Sequence, residues 1–196
     1  MEVADDRLMR EVRDGDVRKL GVLFERHHVA LFNFYLRMGE DRAAAEDLVQ
    51  DVFFRMLRFR HTFRDGTPFA TWMYSIARNT RIDHFRKSRR ETALDPEENV
   101  TPDRRPSAAA NLELKQETDL VRRALDMLPE DKRELLVLTR YQELKYEQVA
   151  ELVGCEVGTL KVRIYRAVHQ LREIFFELRA APGGRNWSAG PARETV

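Results

Sequence analysis

An all-helical chain in two parts is what this sequence predicts, on three observations. Apolar residues recur at steps of three and four through most of the chain, and no stretch alternates with strand period over a useful length. Residues 91–110 carry three prolines and almost no large apolar side chain, so they cannot bury enough surface to fold alone. Beyond them, a short helix, a turn at Gly154 and a second helix bearing Lys161, Arg163 and Arg166 have the layout of a helix-turn-helix, which sets its second helix in the DNA major groove.

The elements follow in chain order. A helix is expected at about 4 to 13, then long amphipathic helices at about 16 to 38, 41 to 59 and 68 to 88. Asp41 follows Gly39 and can cap the third of these, and Thr67-Pro68 reads as a cap before a first-turn proline. After the linker come helices at about 112 to 127, 130 to 141, 146 to 152 and 156 to 178, with Leu128-Pro129 stopping one and opening the next. The expected domains are therefore 1–90, a flexible acidic and proline-rich linker at 91–111, and a second helical domain at 112–180. The tail at 181–196, with Pro182-Gly-Gly and Gly190-Pro, is expected to be disordered.

Composition narrows the function. The 196 residues are 43% apolar, enough for a core, yet no run of about 18 apolar residues offers a membrane span. The N-terminus is acidic where a secretory signal would be basic and then apolar, so the cytosol is the expected compartment. Cys155 is the single cysteine, which excludes an internal disulfide, and the five histidines never fall into metal-ligand spacing. No metal or cofactor is expected. The net charge of +1 hides segregation: Arg78, Arg81, Arg86, Lys87, Arg89 and Arg90 stand against Asp83 alone, whereas 91–103 holds five acids and no base.

Three surfaces are candidates for function. On the helix at 41–59, Leu48, Val49, Val52, Phe53, Met56 and Leu57 share one side, leaving Asp47, Gln50, Asp51, Phe54 and Arg58 on the other. An aromatic ringed by carboxylates suits a basic helical partner; a stray surface aromatic, or a metal held by Asp47 and Asp51, are the other readings. On the helix from Phe69, the stripe Phe69, Trp72, Met73, Ile76, Ala77 and Thr80 is expected inside. Ser75, Arg78, Ile82, Phe85 and Arg86 then face out, with Tyr74 and Arg81 at one flank and Asn79 at the other. Cations interleaved with aromatics suit unstacked single-stranded nucleic acid, and the polar loop from Arg60 through Phe63 to Phe69 could wall a pocket for a flipped base. On the last helix, Val157, Leu160, Ile164, Ala167, Leu171, Ile174 and Leu178 form the inner stripe. Lys161, Val162, Arg163, Tyr165, Arg166 and His169 are left outward, within reach of base edges and phosphates.

Together these residues resemble a bacterial sigma factor of the extracytoplasmic-function (ECF) group, over about 16 to 90 and 118 to 176. The lines Ala45-Glu-Asp-Leu-Val-Gln-Asp-Val-Phe-Phe-Arg55 and Phe69-Ala-Thr-Trp-Met-Tyr-Ser-Ile-Ala-Arg-Asn-Thr-Arg-Ile-Asp-His-Phe-Arg86 look like the family's core-polymerase-binding and minus-ten segments. Leu128-Pro-Glu and Tyr146-Glu-Gln-Val-Ala-Glu through Gly158-Thr-Leu-Lys-Val-Arg look like its minus-thirty-five reader. The resemblance implies that Asp47, Gln50, Asp51 and Phe54 dock on core RNA polymerase. It implies that Arg60, Phe63, Arg78, Asn79, Asp83 and Arg86 engage the melted minus-ten strand. Tyr146, Thr159, Lys161, Arg163, Tyr165 and Arg166 would meet the minus-thirty-five element. It further implies promoter DNA as ligand, a dedicated anti-sigma factor, an acidic linker threaded into polymerase channels, and initiation of a stress or developmental set of genes. Glu156, Val162 and Val168 depart from the family's usual residues.

No catalysis is expected of the chain itself. An ordinary helix-turn-helix regulator is the alternative, which would have no need of the Phe54 face. A nuclease using Asp47 and Asp51 lacks a phosphate-binding glycine loop, a Ser/His/Asp set or a metal cluster to complete it.

Overall fold

The computed structural model describes residues 4–94 and 112–180, with side chains over 4–87 and 117–180. Every regular element in these residues is helical. The expected tail at 181–196 and most of the expected linker lie outside them; residues 91–94, assigned to the linker, instead continue a helix.

The first half consists of α1 (Asp5–Arg13), α2 (Lys19–Arg37), α3 (Arg42–Arg58), a 3₁₀ turn (Arg60–Thr62) and α4 (Phe69–Leu94). Their facing apolar stripes meet in one core, in which Met9, Val12, Leu23, Leu31, Phe34, Tyr35, Val52, Met56, Met73 and Ala77 are fully buried. Asp41 caps α3 as its position predicts, accepting from the Ala44 amide at 2.8 Å. The start of α4 differs from expectation. Pro68 occupies the cap position rather than the first turn, and no Thr67 side chain closes the helix end. The Phe69 amide donates instead to Asp6 of α1 at 2.6 Å. Sequence spacing cannot reveal a cap supplied from 63 residues away.

The second half holds α5 (Leu112–Met127), α6 (Glu130–Leu136), a π turn (Val137–Tyr141), α7 (Tyr146–Val153) and α8 (Val157–Ala180). Leu125, Leu135, Leu138, Val149, Leu160, Ile164 and Ala167 build its core. Gly154 ends α7 in the left-handed region at φ 67°, where a glycine carries no side-chain penalty, and the Cys155 amide closes the turn on the Ala150 carbonyl at 3.0 Å.

The two halves also pack on each other, with α7 against α4 and the π turn against α2. Tyr74 donates to Gln142, Gln148 Nε2 donates to Thr71 Oγ1 at 3.0 Å, and the Arg37 guanidinium lies 4.3 Å from the centre of the Tyr141 ring. Gly39, at φ 98°, faces this contact, and a Cβ there would stand 2.9 Å from Arg133 Nη1, so that guanidinium would have to shift.

Burial pushes the phenols of Tyr35 and Tyr74 well above the ordinary tyrosine range. The unfolded chain ionises these groups near pH ~10 while the folded chain keeps the protons, so rising pH favours unfolding from there upward. A thermal midpoint that holds to about pH 9 and falls beyond pH ~10 is expected, with a shallower fall in Tyr35→Phe.

Candidate nucleic-acid interface

The outward face of α3 is formed as the 3.6-residue period requires. Asp47 and Gln50 are exposed, Phe54 is 62% exposed, and Leu48, Val49, Val52, Phe53 and Met56 are buried behind them. Asp51 is half-buried and accepts from Arg55 Nε at 3.0 Å; Arg55 Nη1 reaches on to Asp83 of α4 at 2.7 Å. The outward face of α3 and the basic helix α4 are thus tied by one cation between two carboxylates. Beside this face the sequence reading missed a groove of about 370 Å³ between α2 and α3, lined by Phe24, Val29, Phe32, Val49 and Gln50. His28, Arg42 and Glu46 add polar and charged groups to its lining, and the juxtaposition arises only from the packing of α2 on α3.

The α4 surface divides. Asn79, Ile82, Phe85 and Arg86 are exposed, in agreement with the helical projection, and Asp83 is exposed beside them. Tyr74 and Arg81, expected at an exposed flank, are 3% and 6% exposed. Partners from both halves cover them: Tyr74 packs against Phe34 and reaches Gln142, and Arg81 lies between Glu40 and Glu130. Arg81 donates to Glu40 at 2.7 Å, to the Met38 carbonyl at 3.1 Å and to Glu130 of α6, and its guanidinium lies 4.5 Å from the Phe85 ring centre. Arg78 is likewise engaged, by a fork to Glu134 at 2.8 and 3.0 Å and by the Leu152 carbonyl. A projection of α4 alone cannot foresee a partner more than 50 residues away.

The loop before α4 forms a pocket of about 230 Å³ with α1. Phe63 is 2% exposed and packs edge-on against Trp72, centroids 5.3 Å apart, lining the pocket from its buried side. Trp72 is core, as expected, and its Nε1 donates to Thr62 Oγ1 at 3.3 Å. Arg60 is half-buried with Nη1 donating to the Leu57 carbonyl at 3.0 Å.

On α8, Leu160, Ile164, Ala167 and Ile174 are buried, and Thr159, Lys161, Val162, Tyr165, Arg166 and His169 are exposed. Tyr165 stands 71% clear. Arg163 is half-buried and pairs with Asp131 at 3.8 Å, and Tyr146 packs partly into the core at the start of α7. Glu156 gives α8 its backbone carbonyl, accepting from the Leu160 amide at 2.9 Å. Among the described residues no group of three or more His, Cys, Asp or Glu could hold a metal, and no helix is long and apolar enough to cross a membrane.

A helix-turn-helix with a bare basic face, joined to a helical body carrying an acidic aromatic face and a basic helix, defines a promoter-binding transcription factor. Residues 23–91 match the family Sigma-70 region 2, and residues 118–171 match Sigma-70, region 4. The ECF RNA polymerase sigma factor EcfG of Rhodopseudomonas palustris is 34% identical over 73% of this chain and 77% of its own length. The ECF RNA polymerase sigma factor RpoE of Cereibacter sphaeroides is 34% identical over 85% of this chain and 92% of its own. Among solved structures, the sigma factor RpoE of Bartonella quintana, in complex with the anti-sigma factor NepR, superposes with a TM-score of 0.67. It is 28% identical, over 82% of this chain and 96% of that one. The chain belongs to the ECF group of the sigma-70 family: it is an RNA polymerase sigma factor.

Proposed function

We propose that this chain docks on core polymerase through Asp47, Gln50, Asp51 and Phe54 and carries promoter choice for an enzyme that supplies all the chemistry. The observation that carries the reading is Phe54, a large aromatic 62% exposed among carboxylates, which a regulator binding DNA alone does not need. Asn79, Asp83 and Arg86 engage the melted minus-ten strand, with Arg60 and the Phe63-floored pocket receiving a flipped base. Thr159, Lys161, Arg163, Tyr165 and Arg166, with the exposed edge of Tyr146, meet the minus-thirty-five duplex. The domains are those of the sequence reading, with the first extended to the end of α4 at Leu94, the strap following it up to 111, and 112–180 and the tail at 181–196 as read. The protein acts in the cytoplasm, where its polymerase is.

Arg78 joins the minus-ten surface only when Glu134 releases it, so promoter binding goes with separation of the halves. The likeness to a sigma factor solved with its anti-sigma factor supports an inhibitor of that kind for this chain, and a chain held closed offers it a ready target.

The test is reconstitution: purified chain added to sigma-free bacterial core polymerase should direct initiation at defined start sites. Random initiation, or none, would overturn the reading. Within such a complex, Arg166→Ala is expected to cost about 1 to 3 kcal/mol of promoter affinity if the side chain reads a base. It is expected to flatten the salt dependence by about one unit if it pairs a phosphate. Titrations at two or more salt concentrations separate these outcomes, and no change in either removes Arg166 from the interface.

A further inference from the structure

Val162 stands at the centre of the outward face of α8, and the minus-thirty-five contacts proposed above leave it without a part. Leu160 is fully buried, and at about 100° per residue Val162 lies about 200° round the helix from it, almost opposite the core stripe. Its exposure is 50%, and the core of the second half does not include it. Gly158, one turn earlier on nearly the same line, adds no side chain, and a Cβ there would meet nothing within 4 Å. A base edge can therefore come close to Val162 from the start of α8, the end of a recognition helix that contacts bases.

The charges stand to either side. Lys161 and Arg163, its sequence neighbours, project about 100° away in opposite directions, toward the two phosphate strands that border a major groove. Arg166 follows one turn on, about 40° aside. What the centre of the face offers the bases is apolar, because a valine side chain neither donates nor accepts a hydrogen bond. The major groove carries donors, acceptors and a single apolar group, the C5 methyl of thymine. Against the amino group of adenine or cytosine, or the acceptors of guanine, the valine methyls would exclude water and put no partner in its place. Against the thymine methyl they bury apolar surface on both sides.

We infer that Val162 is a specificity-determining residue, reading the methyl group of one thymine in the minus-thirty-five duplex. The inference rests on the proposed function and deepens it, since it takes this face of α8 to meet duplex DNA. Val162 is one of the positions at which the chain departs from the family's usual residues, so the preference belongs to this chain and not to the family at large.

The test uses the full chain assembled with bacterial core polymerase and a duplex promoter pool randomised across the minus-thirty-five segment, the retained molecules being sequenced. Each enriched thymine, on either strand, is then replaced singly by deoxyuridine, which lacks only the methyl. At one position the wild-type holoenzyme should bind the deoxyuridine promoter about fourfold more weakly. Val162→Ser should bind the thymine and deoxyuridine promoters alike and lose enrichment at that position alone. Val162→Ile, still apolar at its tip, should keep the discrimination. Val168→Ser should match wild type, its valine being exposed but about 120° away round the helix. Absence of any enriched thymine would overturn the inference, as would equal binding of every deoxyuridine promoter by wild type. So would a methyl effect undiminished in Val162→Ser, or a Val162→Ser loss spread evenly over all sequences. In each of these cases the pool is still selected and the proposed function stands. A wild-type holoenzyme that selects no sequence at minus thirty-five would overturn the inference together with the placing of α8 on that element.

Discussion

Phe54→Ala is expected to lower affinity for core polymerase by on the order of 2 kcal/mol, about thirtyfold, while leaving the fold intact. The ring is 62% exposed and lies outside the core, so the unfolding free energy should move by no more than about 0.5 kcal/mol. A competition assay against labelled wild-type chain measures the first quantity and a thermal melt followed by circular dichroism the second. Asp51 is a less clean probe of the same face. Its carboxylate holds Arg55, which in turn holds Asp83 on α4, so truncating it disturbs two surfaces at once. Wild-type competition by Phe54→Ala would remove this face from the docking surface.

The reach of the sequence follows the range of the forces involved. Helix positions depend on apolar period and local capping, and both are written within a few residues: Asp41 caps α3, Pro129 opens α6 and Gly154 turns α7 into α8, all as spacing predicts. The outward residues of α3 and α8 were legible for the same reason, because a helix with one neighbouring layer hides one stripe and shows the rest. Long-range contacts escaped. Asp6 reaching Phe69, Tyr74 reaching Gln142, and Arg81 held between Glu40 and Glu130 each depend on a partner distant in sequence, and no periodicity encodes its arrival. The π turn is of this kind too. Residues 130–141 read as one helix, yet the backbone widens at Val137–Tyr141, where Tyr141 and the following Gln142 meet α2 and α4.

Those distant contacts give the largest conformational effect expected of any single substitution here. Arg78 and Glu134 have side chains only 21% and 18% exposed, joined by two hydrogen bonds, and Glu130 one turn earlier holds the buried Arg81. Water is largely excluded from the pair, so its screening is weak and the loss of one partner strands the other. Glu134→Arg replaces attraction by repulsion at that point and is expected to cost the contact between halves about 3 kcal/mol or more. Neither core includes Glu134, so each half keeps its helices. The expected observation is a larger radius of gyration by small-angle scattering with unchanged far-ultraviolet circular dichroism, and stronger binding to single-stranded minus-ten DNA as Arg78 comes free. Glu134→Gln, which keeps the shape and removes the charge, should fall between wild type and Glu134→Arg on both measures. An unaltered scattering profile in Glu134→Arg would mean that the apolar and amide contacts around Tyr74, Gln142 and Gln148 hold the halves together without the charges. The Arg78–Glu134 and Arg81–Glu130 pairs would then have no part in setting how far the chain opens.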